Sequence, residues 1–193
     1  MGEVVEVGMR FDELDGTTRR YMLEEFLAEE AGGNPYRGKN LSIEGLKVFP
    51  RLMRDAIEQG DEGTLSAALS DSHFWNPTEV YVRDGIPRDR KINVLQAAQR
   101  LAGSEFNTWY VRGLSRRLLD EGVVECEVYR TAQPKWEPAE CREHEGQILA
   151  VQDVYDGHRA RYWPEPGTQG VVCVPFQPGC HHSIRRISSS AGS

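Results

Sequence analysis

The stretch from Asn93 to Glu121 constrains the fold more than any other part of the chain. Val94, Leu95, Ala98, Leu101, Ala102, Phe106, Trp109, Tyr110, Leu114, Leu118 and Leu119 recur there at helical spacing and make one broad apolar face. A helix of this length needs partners along that face, so it is expected to be the central element. Gly103 and Gly113 are points where it can bend, and Gly122 is a natural C-terminal stop. Val123 to Tyr129 then reads as a strand entering the core.

Three shorter helices are expected before it. The first is capped by Thr17 or Thr18, carries Tyr21, Leu23, Phe26, Leu27 and Ala31, and ends at Gly32-Gly33, with Glu24, Glu25, Glu29 and Glu30 on its solvated face. The second starts at Ser42 with an incomplete capping box, because Gly45 stands where Glu or Gln would reach back. It runs to Gly60, and Pro50 either kinks or divides it. A short third helix spans Thr64 to Leu69. Alternation from Glu79 to Ile92 around Asp84-Gly85 predicts a hairpin whose return strand is short or lies at an edge, because Pro87 is near the turn. After Tyr129 glycine and proline leave room only for short strands, at Gln147 to Val151, Gly170 to Val174 and Ser183 to Ile187. The expected class is α+β: a helical N-terminal layer, a long central helix, and a small antiparallel sheet with a loop-rich C-terminal part. Residues 1–92 and 93–193 form two regions of one domain or two domains.

With 30 acidic against 23 basic side chains, the formal net charge of −7 sets the molecule as a whole against phosphate polymers and excludes a dedicated nucleic-acid binder. Arg112, Arg116, Arg117 and the Arg185-Arg186 pair read as solvated surface arginines or as a local basic patch. The first ten residues lack an apolar run of signal-peptide length, and no segment approaches the roughly 20 apolar residues of a membrane span. A cytoplasmic origin is expected, and in that compartment Cys126, Cys141, Cys173 and Cys180 are thiols or metal ligands rather than disulfides.

The most specific local pattern pairs Cys141-Arg142-Glu143-His144 with Cys180-His181-His182. Two soft-donor pairs on separate turns suit a tetrahedral structural zinc site, with Cys141, His144, Cys180 and His182 as candidate ligands. The plain alternative is small buried cysteines beside loop histidines, and a catalytic cysteine-histidine pair using Cys141 or His144 is a third. The sequence has no phosphate-cradling glycine loop, no HExxH, no GxSxG and no HxE followed by PCxxC, so those catalytic classes are excluded and no catalytic residue is assigned.

Leu101-Ala102-Gly103-Ser104-Glu105, the helix ended by Gly122-Val123, Trp136, Cys141-Arg142-Glu143-His144-Glu145-Gly146 and Pro178-Gly179-Cys180-His181-His182 together resemble the phage minor head proteins of the MuF type over about Asn93 to Arg186. The whole chain is also similar to uncharacterised proteins encoded in structural gene clusters of actinobacterial phages. Where that family often has Cys-x-x-Cys, this sequence has Cys141 followed by His144, which implies an altered or lost metal site.

The resemblance implies a non-enzymatic virion component, made in the host cytoplasm and acting near the portal as a minor head protein or a head-to-tail adaptor. Its expected partners are the portal or other joining proteins, further copies of itself in a ring, and packaged DNA, with no membrane. Arg159, Arg161, Tyr162 and Trp163 are the candidate contact residues, chosen for their mixed basic and aromatic character, against the alternative of a packed loop. Trp75, Trp109, Trp136 and Trp163 are available for interfaces or core. The competing functional readings are a zinc-stabilised cytosolic binding module and a Cys/His enzyme.

Overall fold

The computed structural model describes residues 8–133, 139–164 and 170–187, without the side chains of 139–141. Helices α1 (Gly16–Ala31), α2 (Ile43–Gln59) and α3 (Glu62–Ala68) precede strands β1 (Thr78–Arg83) and β2 (Ile86–Lys91). Helix α4 (Val94–Asp120) and strand β3 (Glu125–Arg130) follow, then β4 (Ile148–Ala150), α5 (Val151–Asp156) and β5 (His182–Arg186). The class is α+β.

Helix α4 has 27 residues, a length of about 40 Å. From Ser104 to Val111 every residue is buried, whichever way its side chain points. The cause is coverage from two sides: α1 and α3 pack on it, and so do α5 and β5. One hydrophobic core therefore runs from Met22 to Ile184 and joins the N-terminal helices to the C-terminal sheet. Gly113 marks a close approach of α4 to α1, since a Cβ there would lie 2.6 Å from the Met22 backbone nitrogen. The helix ends in a Schellman motif, with the Val123 amide donating to Leu118 O at 2.8 Å, the Gly122 amide to Leu119 O at 3.0 Å, and Gly122 at φ +76°.

The small sheet is antiparallel, in the order β4-β3-β5, with Cys126 opposite Leu149 on one side and Arg186 on the other. The hairpin β1-β2 is a separate ribbon. Its turn places Asp84 at φ 55° and Gly85 at φ 75°, the two positive values a tight two-residue hairpin turn requires. At its base Ile92 donates to Pro77 O and Asn40 binds Glu79 at 2.7 Å. Beyond the base, Val80, Val82 and Ile86 are 60%, 67% and 55% exposed.

Several expectations need correction. Asp15, not a threonine, caps α1 by accepting from the Thr18 amide at 2.9 Å, and Asp61 caps α3, which begins before Thr64. Helix α2 is not divided at Pro50 but continues through it as one helix. Gly170 to Val174 pairs with no strand among the described residues; it packs irregularly, with the Val172 carbonyl so close to Gly157 that a Cβ there would sit 1.5 Å away.

The acids of α1 and the arginines of α4 are not simply solvated. Glu25 is 7% exposed and receives Arg112 Nε at 2.7 Å, Arg116 Nη1 at 2.8 Å and the Tyr155 hydroxyl at 3.1 Å. Burial works against its charge, yet the Arg116 and Arg112 hydrogen bonds hold its carboxyl below the usual range. Arg117 reaches Asp15 at 2.8 Å, while Arg185 and Arg186 bind Glu127 and Glu13.

Candidate functional site

The sequence-predicted cysteine and histidine donors meet at a corner where the segment before β5 crosses α4. Strand β5 starts at His182, opposite Arg130 of β3, and this pairing takes the imidazole to 2% exposure. Two buried polar residues of α4 hold the approach. Asn107 donates to His182 O at 2.8 Å, and Ser104 Oγ accepts from the Gly179 amide at 3.3 Å. Neither was singled out from the sequence for this role, because a polar residue on a helix reads as surface until the docking segment is known.

At the corner Cys180 Sγ lies 3.3 Å from His182 Nδ1. His182 Nε2 is 3.6 Å from Glu145 Oε1 and makes no hydrogen bond. Burial, then the nearby Arg130 charge, lowers the His182 pKa. His144 stacks on Phe176 with ring centres 3.7 Å apart and stands edge-on to His182 at 5.8 Å. Its Nδ1 is buried without a hydrogen-bond partner. The Cys141 side chain falls outside the described residues. Among the described residues no three histidine, cysteine or acidic groups already converge as a metal site. The remaining thiols lie elsewhere: burial pushes Cys126 up to about 12 and also raises Cys173, which leaves both as unreactive core groups.

The candidate contact residues divide. Arg159 is 2% exposed and its guanidinium grips Glu105 of α4 at 2.9 and 2.8 Å, with Glu29 of α1 at 3.5 Å. It also lies over the Tyr36 and Trp109 rings. With its head group enclosed in this way, Arg159 is a packing residue rather than a contact for another molecule. Beside it, His158 Nε2 meets Glu29 at 3.1 Å. Burial lowers His158 to about 4, while Glu29 reaches about 2 because His158 and Arg159 outweigh its own burial. Arg161 is exposed, and Tyr162 and Trp163 are half-buried against Tyr36. Of the four tryptophans, Trp75 and Trp109 are core, Trp163 is half-buried, and Trp136 lies outside the described residues.

Tyr162 and Trp163 form one wall of a groove of about 900 Å³ between the hairpin and α4. Among the described residues its lining carries Arg37, Lys39, Arg90, Lys91 and Arg100 against a single carboxylate, Glu79. Arg37 and Arg90 are paired with Glu30 and Glu79. An acidic molecule thus presents a locally basic cleft beside its projecting arm. No family model, curated protein or solved structure matches the chain.

Proposed function

We propose that the chain is a structural protein of a tailed-phage particle, a minor head or head-to-tail adaptor protein that assembles as a ring at the portal vertex. The observation that carries this reading is the projecting hairpin. An isolated two-stranded ribbon is marginal in water, and open strand edges invite pairing with another chain. Here β2 is exposed at every residue, and Val80, Val82 and Ile86 offer apolar surface beyond the base. Such an arm gains most of its burial from a neighbour. A head-to-tail contact of this kind closes into a ring when the rotation between copies allows it.

The MuF-type resemblance supports the same reading and directs it to the portal. The basic groove next to the arm supports a partner that presents negative charge, for which the acidic surface of the next copy, the portal and packaged DNA are the candidates. Purified particles analysed by mass spectrometry test the proposal: it requires the chain in the particle at a copy number comparable with the portal protein. A chain recovered only from the soluble lysate rejects it.

A further inference from the structure

From the corner geometry we infer that Cys180, His182 and His144 bind one zinc ion that pins the segment before β5 to the 3-10 turn Ala139–His144. The inference stands on this corner and is independent of the virion reading. Two donors on one tetrahedral zinc, at the usual Zn–S and Zn–N lengths, stand about 3.6 Å apart. Cys180 Sγ and His182 Nδ1 are 3.3 Å apart in a pocket where the imidazole is 2% exposed. The second nitrogen of that ring faces Glu145 Oε1, the oxygen that also takes the Arg130 guanidinium, at 3.6 Å. That is the outer partner a zinc-bound histidine ordinarily uses to fix its tautomer and raise its basicity. On the neighbouring ring, His144 Nδ1 is a buried nitrogen with no hydrogen bond, a donor available to a metal.

His144 supplies the third donor by turning off the Phe176 face toward the neighbouring His182 ring, 5.8 Å away. In its stacked position it completes no three-donor set, and none is present among the described residues. Binding displaces the Cys180 thiol proton to solvent, so affinity rises with pH through the thiol range. The corner also has something to gain from a staple. Residues 139–150 and 170–181 contribute only a three-residue strand of regular pairing, and their hydrogen bonds to α4 include those at Ser104 and, next to them, at Asn107.

The test is titration of the purified, metal-free full chain with cobalt(II), then competition with zinc. One ion per chain is expected, with tetrahedral visible bands and a thiolate charge-transfer band in the near ultraviolet that zinc abolishes. Cys180→Ser should remove the charge-transfer band. His182→Ala and His144→Ala should each weaken binding, and Glu145→Gln, at an exposed carboxylate, should weaken it about 10- to 100-fold while the ligands stay in place. Far-ultraviolet dichroism of each variant shows that it is folded. If wild-type protein binds no cobalt stoichiometrically, or Cys180→Ser keeps the charge-transfer band, the site does not exist as drawn. Because the wild-type titration needs no variant, a substitution that fails to fold leaves the inference open to refutation.

Discussion

Replacing Arg159 by methionine removes one half of an ion pair that is closed to water on both sides. The side chains of Arg159 and Glu105 are each 2% exposed and are joined by two hydrogen bonds of 2.9 and 2.8 Å. The attraction of such a pair does little more than offset the cost of desolvating it, but deleting one partner strands the other charge in the interior. The expected loss is about 3 to 5 kcal/mol, a large share of the roughly 5 to 15 kcal/mol that keeps a domain folded. Methionine keeps the stem volume and the Cβ, so the positive φ of 56° at this position weighs on both proteins alike. Glu105→Leu combined with Arg159→Met removes both charges of the pair and should recover most of the loss, because Glu105 is no longer stranded and Glu29, which also loses Arg159, keeps its His158 and Tyr36 hydrogen bonds. Guanidinium unfolding followed by tryptophan fluorescence suits the measurement, since Trp109 lies against the guanidinium. The expected result is a lower midpoint for the single variant at unchanged slope, with the double variant close to wild type. A single-variant cost under about 1 kcal/mol, or a double variant as damaged as the sum of its parts, would refute the reasoning.

Three further outcomes follow from the same contacts. Because burial lowers the folded His158 pKa to about 4 from 6.5, the unfolded chain takes up a proton that the folded one does not as pH falls through this window. Stability from this group is complete above pH 6.5 and should fall by about 2 kcal/mol by about pH 5, a slope that His158→Gln should flatten in urea melts; Glu29 adds to the loss below its unfolded pKa of 4.5, down to about 2. Gly157→Ala drives a Cβ into the Val172 carbonyl and should cost about 3 kcal/mol or more by thermal or chemical unfolding, because two backbone segments must part. Val80→Lys with Val82→Lys, on the open face of the arm, should change monomer stability by no more than about 0.5 kcal/mol per site, yet reduce self-association in light scattering; unchanged association would remove the arm from the assembly surface.

What the sequence revealed and what it hid divide along local and non-local physics. The extent of α4, its glycine stop and the Asp84-Gly85 turn were legible because each depends on residues within a turn or two of one another. Of the two outcomes Pro50 allowed, division is the one that does not occur: with Phe49 and Met53 buried on either side of it, the helix continues. Helix α5, only six residues between breakers, is too short to show a period. Gly170 to Val174 has the composition of a strand but pairs with no strand among the described residues. The charge network was illegible because Glu25 and Arg112 are 87 positions apart, and each alone reads as surface. At the corner, Cys180 and His182 could be paired from the chain because they are two residues apart, whereas their anchorage through Asn107 required the packing of β5 against α4.

Membership of a particle, the proposed role, is measured most directly by quantitative mass spectrometry of purified virions from the source. The expected result is this chain in filled particles at a ring-like copy number, in fixed ratio to the portal protein. Particles that are complete and infectious without it, with the chain left monomeric in the cytosol, would refute that role.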